Sequence, residues 1–172
     1  MDIALLLIRI VVGGTVAAHG AQKLFGWFGG YGIEGTAGYL ESLGFRSGRS
    51  YAWLSGITEL VGGLALAAGF LTPLGAAAVG GVMLTAVASA HWGKGFFLAT
   101  GGCEFPLALG VVALACAFSG GGRWSLDNAL DWTLRGGGWG IAAVILAVVA
   151  SVAVMAAGGV LGHRRGGEQL AT

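Results

Sequence analysis

An all-α integral membrane fold, a small bundle of transmembrane helices, is predicted by three features of this 172-residue sequence. First, only 10% of the residues are charged while 56% are hydrophobic, and the mean hydropathy is +0.82. Soluble domains carry about 25% charged residues, so this chain could not cover a water-facing surface without large apolar patches. Second, its apolar residues gather into five stretches long enough to cross or nearly cross a bilayer, which takes roughly 17–25 residues. Third, it has 35 glycines against 2 prolines, and small residues let helix backbones approach closely in lipid.

The first span runs from about Ile3 to Gln22, the second from about Tyr51 to Phe70. The third, from about Leu74 to His91, follows a break at Thr72-Pro73. The fourth, about Cys103 to Phe118, is short and opens after Gly101-Gly102; the fifth runs from about Trp139 to Leu161 without a charge. The N-terminus lacks the positive n-region of a signal peptide, and Arg9 interrupts its apolar run, so it reads as a retained membrane helix. Small residues recur within the spans, as at Gly13-Gly14, Gly62-Gly63, and Ala76 with Gly80. This pattern predicts a tightly packed bundle.

Between the first two spans, LFGWFGGYG is aromatic and glycine-rich, as suits a membrane interface. Residues Gly35 to Gly44 put Ala37, Tyr39, Leu40 and Leu43 mostly on one helical side, predicting a short interfacial or re-entrant helix. A short amphipathic helix is predicted to start near Ser125, with Thr133–Gly138 as the linker to the last span. The expected organisation is therefore a four-helix core at 1–135, with an interfacial segment at about 24–50, and an extra transmembrane helix with a short basic tail at 136–172.

Nine basic and eight acidic residues leave a net charge of +1, which gives no basic field for nucleic acid. Alternating spans collect Lys23, Arg46, Arg49, Lys94, Arg164 and Arg165 on one membrane side and only Arg123 and Arg135 on the other. Basic residues favour the cytoplasmic side, so a cytoplasmic C-terminus in a multi-pass plasma-membrane protein is the expectation. Cys103 and Cys116, if on one helix, stand roughly 20 Å apart, so they read as small packing residues rather than a disulfide.

Ionisable side chains inside the spans carry the functional signal. A charge at the bilayer centre costs about 2.5–3.5 kcal/mol on insertion scales, so such groups are paired or functional. Arg9 and Glu59 lie deep in the first and second spans, where a mutual ion pair would relieve both penalties. His19 and Lys23, four apart, share a helix face. His91 and Lys94 close the third span, and Glu104 opens the fourth, where a carboxylate suits a helix N-terminus. Alternation brings His19, Lys23, His91, Lys94 and Glu104 to one mouth of the bundle, with Arg9 and Glu59 deeper. The candidate polar pocket is thus Arg9, His19, Lys23, Glu59, His91 and Glu104. Four readings are open: groups that only satisfy one another and fix helix register, a pocket for an amphipathic headgroup such as a quinone, a metal site using His19, His91, Glu59 and Glu104, and transport or proton conduction. No HxxH or ExxH spacing supports the metal.

The motifs RIVVGGTVAAHGAQKLFGWFGGYGIEGTAGYLESLG, TELVGGLALAAGFLTP, HWGKGFF and GGCE, spread in order over residues 5 to 130, resemble the DoxX family of small bacterial membrane proteins. The resemblance implies a four-helix membrane core associated with redox systems, related to quinol oxidase and thiosulfate:quinone oxidoreductase subunits. The fifth span and tail lie beyond that core. Arg9, His19, Lys23, Glu59, His91 and Glu104 all fall within the matching motifs. No flavin, haem or iron–sulfur motif is present, so no intrinsic cofactor is evident, and electrons would come from a bound quinone or a partner. The resulting expectation is an accessory, non-catalytic subunit of a quinone-linked redox or oxidative-stress system, whose partners are membrane lipid, redox proteins or a second copy of itself. The alternatives are a small-solute or lipid transporter and a structural anchor without its own chemistry.

Overall fold

A computed structural model describes residues 2–160, and every regular element among them is helical. Five long helices form the bundle: α1 (Asp2–Phe25), α3 (Gly48–Ala68), α4 (Thr72–Ala86), α5 (Glu104–Ser119) and α7 (Gly137–Gly158). Between α1 and α3 lies α2 (Gly32–Ser42), and α6 (Leu126–Ala129) is a single turn whose cap Ser125 accepts a hydrogen bond from Asn128 N. With the π-helical turn Val87–His91 that continues α4, four helices are long and apolar enough to cross a membrane, and α5 is shorter. All five expected spans are helices, and the short fourth is the 16-residue α5. Leu161, Arg164 and Arg165, used in the fifth span and the charge count, lie outside the described residues.

Helix ends follow from local chemistry. Gly69 takes φ +64°, the left-handed conformation that stops α3 at low cost. Pro73 sits in the first turn of α4, where a missing N–H removes no helical hydrogen bond. The turn between them is short, so α3 and α4 are antiparallel neighbours. Alternation puts Asp2, residues 69–72 and residues 120–136 at one end of the bundle; there Arg123 N donates to Asp2 Oδ1 at 3.1 Å. The opposite, basic end holds residues 25–48, 92–103 and the end of α7, where Arg46 N donates to Gly158 O at 2.9 Å.

Close backbone approach governs the α1–α3 pair. A Cβ added at Gly13 would lie 2.6 Å from Ala67 N, and one at Gly63 would lie 2.6 Å from Ala17 N. No side chain fits between these backbones, so the glycines are the contact. Around α4, with α3, α5 and α7 packed on it, a core of Val12, Val16, Leu66, Val79, Met83 and Ala113 is buried. The outward faces carry Ile3, Val11, Leu64, Ile141 and Val149, all exposed, as lipid contact requires. α7 is an integral part of this packing: Ala143 joins the core, and Ser151 takes a hydrogen bond with Thr85 Oγ1 at 3.0 Å.

Candidate functional site

The ionisable side chains fall into three separate groups. Arg9 and Glu59, which sequence reasoning allowed to pair, belong to opposite halves of the bundle. Arg9 is fully buried, and its Nη2 donates to Trp124 O at 2.5 Å. Its guanidinium packs on Gly69, where any Cβ would collide with it, while Nε and Nη1 have no hydrogen-bond partner. Beside it Asp127, also buried, accepts from Leu71 N at 2.6 Å, Thr72 N at 2.9 Å and Thr72 Oγ1 at 2.6 Å. Asp127 thus caps α4 from the 120–135 loop, satisfying N–H groups that a helix start leaves open. Its position at the start of α6 was visible in the sequence, but its partners, 55 and 56 residues away, were not.

Glu59 instead meets Lys23, whose Nζ lies 2.5 Å from Oε1. Helix geometry explains the choice. Side chains tilt toward the N-terminus of their own helix. Lys23, near the end of α1, therefore reaches back into the bundle, and Glu59, midway along antiparallel α3, leans toward the same end. Arg9 leans the other way, toward Asp2. The Glu59 side chain is only 3% exposed and that of Lys23 30%, so the carboxylate is enclosed and the ammonium is reachable. Glu59 Oε2 has no partner.

The remaining predicted residues serve the rim of the basic end. His19 Nδ1 donates to Gln22 Oε1 at 2.9 Å, and its ring stands edge-on to Phe105. His91 Nδ1 donates to Gly101 O at 2.7 Å. Glu104 Oε2 accepts from Leu98 N at 3.0 Å. His91 and Glu104 thus fasten the 92–103 loop rather than face a shared interior. The single pocket formed by all six residues is not what the helices build, because each polar group finds the nearest backbone or side-chain partner on its own end. Among the described residues, no three His, Cys, Asp or Glu side chains gather as a metal set.

A cavity does form, in a place that sequence reasoning did not single out. It occupies about 270 Å³ between α2, α3, α4 and α7, in the half of the bundle at the basic end. Its floor is α4, with Ala77, Ala78 and Gly81, and its roof is α2, with Tyr39, Leu40 and Leu43. Hydroxyls of Ser55, Thr58, Thr85, Ser89 and Ser151 interrupt the apolar lining, and Lys23 is the one charged side chain in it. Of the six predicted residues only Lys23 reaches this space, with Glu59 held behind it. The one sequence signal on this space was a series of hydroxyls on three spans, Ser55 and Thr58, Thr85 and Ser89, and Ser151, which does not by itself place a cavity. Ser89 lies in the π turn, and its Oγ donates to Thr85 O at 2.7 Å. Such turns free a carbonyl from the regular ladder.

A second cavity of about 270 Å³, polar, lies within the 120–135 loop at the opposite end, bordered by Asp2, Arg123, Asp131 and Arg135. Asp127 borders it too, but is engaged with the start of α4.

Comparison with known proteins bears on the same region. The chain is 28% identical over 138 residues to an uncharacterized membrane protein of Mycobacterium tuberculosis, Rv3486, covering 74% of this chain and 82% of that protein. No solved structure matches. The DoxX family model matches residues 4–92, from the first turns of α1 to the end of the π turn. This stretch contains both members of the Lys23–Glu59 pair and the α1–α3 glycine contact that aligns them. With a bundle of long apolar helices around it, the chain is a membrane protein and belongs to the DoxX family.

Proposed function

We propose that this protein is an accessory membrane subunit of a redox or oxidative-stress system, and that its cavity between α2, α3, α4 and α7 holds the headgroup of a quinone. The observation that carries the reading is a mostly apolar cavity within the bundle that ends on one ammonium group, Lys23. Small-molecule sites are mainly apolar with a few convergent polar groups, and span about 300–1,000 Å³. At about 270 Å³ this one suits a ring rather than a whole long-chain lipid. A quinone ring offers two carbonyl acceptors. Lys23 Nζ has donors left after Glu59 takes one, and the Thr58 hydroxyl supplies another, whereas those of Ser55, Thr85 and Ser89 already donate within the protein. The quinone would bring reversible two-electron chemistry; the chain's own residues would bind and orient it and exclude water. Partner enzymes would supply the electrons, and partner proteins or a second copy would dock on the exposed helix faces.

The basic end, with Lys23, Arg46, Arg49 and Lys94, supports a cytoplasmic placement of that end in a plasma membrane. The test is gentle purification in a mild detergent followed by solvent extraction and mass spectrometry. Wild-type protein is expected to retain quinone, and a variant that fills the space from α4, Ala86→Leu, is expected to lose it. Equal recovery from both, or solute flux through liposomes that stops with the same substitution, would replace the reading with a transport one.

A further inference from the structure

We infer that Glu59 sets the charge selectivity of the cavity: by neutralising Lys23 from behind, it makes the site take uncharged amphipathic molecules from the bilayer and refuse anionic ones. This rests on the cavity being a ligand site, as proposed above, and adds which ligands it accepts and how they enter.

The route comes from the packing. α4 packs against both α3 and α7, whereas α3 and α7 have little contact with each other. The cavity is therefore the bottom of a cleft between α3 and α7, floored by the small residues of α4. Near the end of α7 an aromatic cluster closes it. Phe45 packs on Tyr51 with ring centroids 4.9 Å apart, and it is buried with Met155 and Val160 at the end of α7. The bond from Arg46 N to Gly158 O fixes that closure. Leu54, which is exposed, and Val154 flank the gap between the two apolar helices, the side from which a ligand would enter from lipid. A ligand entering there brings an apolar chain, and its head comes to rest at Lys23.

The charge follows from the pair. An isolated ammonium facing an apolar cleft would attract carboxylates and phosphates, which abound among membrane amphipaths. Here the carboxylate of Glu59 lies 2.5 Å from Nζ and is screened from water, so the two charges cancel before any ligand arrives. A second anion would meet Glu59 at close range in a medium of low dielectric, and like charges so placed are unfavourable. A neutral carbonyl or hydroxyl meets no such opposition, and can still take a hydrogen bond from Nζ. Glu59 acts through Lys23 and is a specificity-determining residue, since it is not itself part of the cavity lining.

Two probes of similar chain length separate the possibilities in micelles at pH 8: a benzoquinone bearing a ten-carbon chain, and dodecyl phosphate. Binding is read by native mass spectrometry and by quenching of intrinsic fluorescence. Wild-type protein is expected to favour the quinone at least tenfold. Glu59→Gln, with the cation uncancelled, is expected to shift the ratio at least tenfold toward dodecyl phosphate. The double variant Lys23→Met with Glu59→Gln is expected to lose that gain. Wild-type protein that binds both probes equally overturns the inference without need of any variant. So does an E59Q ratio equal to wild type while quinone still binds, or a double variant that keeps the phosphate affinity. Wild-type protein that binds neither probe sinks the cavity reading itself, which is a different failure.

Discussion

At the scale of single residues, the buried polar groups divide by what would be left behind if each were removed. Asp127 takes three hydrogen bonds, two of them from backbone N–H groups at the start of α4. Removing it leaves those donors buried and unpaired, and each such group costs about 1–3 kcal/mol. Asp127→Ala is therefore expected to destabilise the protein by about 3 kcal/mol, read as a clear drop in the thermal unfolding midpoint in detergent, while ligand binding at the far end is unchanged in folded protein. The sequence made Arg9 and Glu59 legible as groups in need of partners, because charge within an apolar span demands compensation. It did not reveal which partners. Depth along a span was the only measure available, and depth alone pairs Arg9 with Glu59. The tilt of each side chain toward its own N-terminus, combined with antiparallel packing, sends them to opposite ends. The role of Asp127 was not legible because it lies in a one-turn helix outside the apolar spans, where a carboxylate looks like ordinary surface.

At the scale of elements, the α1–α3 pair is held by contacts that tolerate no extra atoms. Gly13 and Gly14 are neighbours in sequence with opposite surroundings: a Cβ at Gly13 meets backbone of α3, whereas one at Gly14 meets nothing within 4 Å. Gly13→Ala is expected to destabilise the bundle by about 2 kcal/mol or more, as overpacking does. Gly14→Ala is expected to stabilise it by up to about 1 kcal/mol through helix propensity. Thermal unfolding of the two variants side by side checks the contrast. The small-residue pattern that predicted close packing was plain in the sequence, but which glycine of each pair faces a partner depends on helix rotation, which composition does not specify. The same register that seats Gly20 against Gly56 and Leu60 brings Lys23 beside the turn carrying Glu59. A shift of α1 against α3 would therefore undo the ion pair as well as the packing.

At the scale of the whole molecule, five long helices running in alternation give the bundle two unlike ends. One joins Asp2 to the 120–135 loop, and the other carries α2, the 92–103 loop and the last turn of α7. Single cysteines placed at Arg46 and at Lys94, in a background with Cys103 and Cys116 replaced by alanine, are expected to label from the same side of sealed vesicles with an impermeant maleimide. One at Arg123 is expected to label only from the other side. Labelling of Arg46 and Arg123 positions from one side would contradict the arrangement. The five long helices, the shortness of the fourth and the presence of a helix between the first two were readable from apolar run length and helical patterning. The cavity was not, because its walls come from four elements whose mutual rotation only the folded packing reveals.

The helix α7 lies wholly outside residues 4–92, yet it supplies Ala150, Ser151 and Val154 to the cavity. The chamber therefore has one side within the stretch that the family model matches, which holds the Lys23–Glu59 pair, and a facing wall outside it. Relatives that keep the pair but carry a different last helix, or none, would present the same polar end in a trough of another width. On the proposed reading of the cavity, chain length and branching of the guest would then vary while the preference for an uncharged head stayed constant.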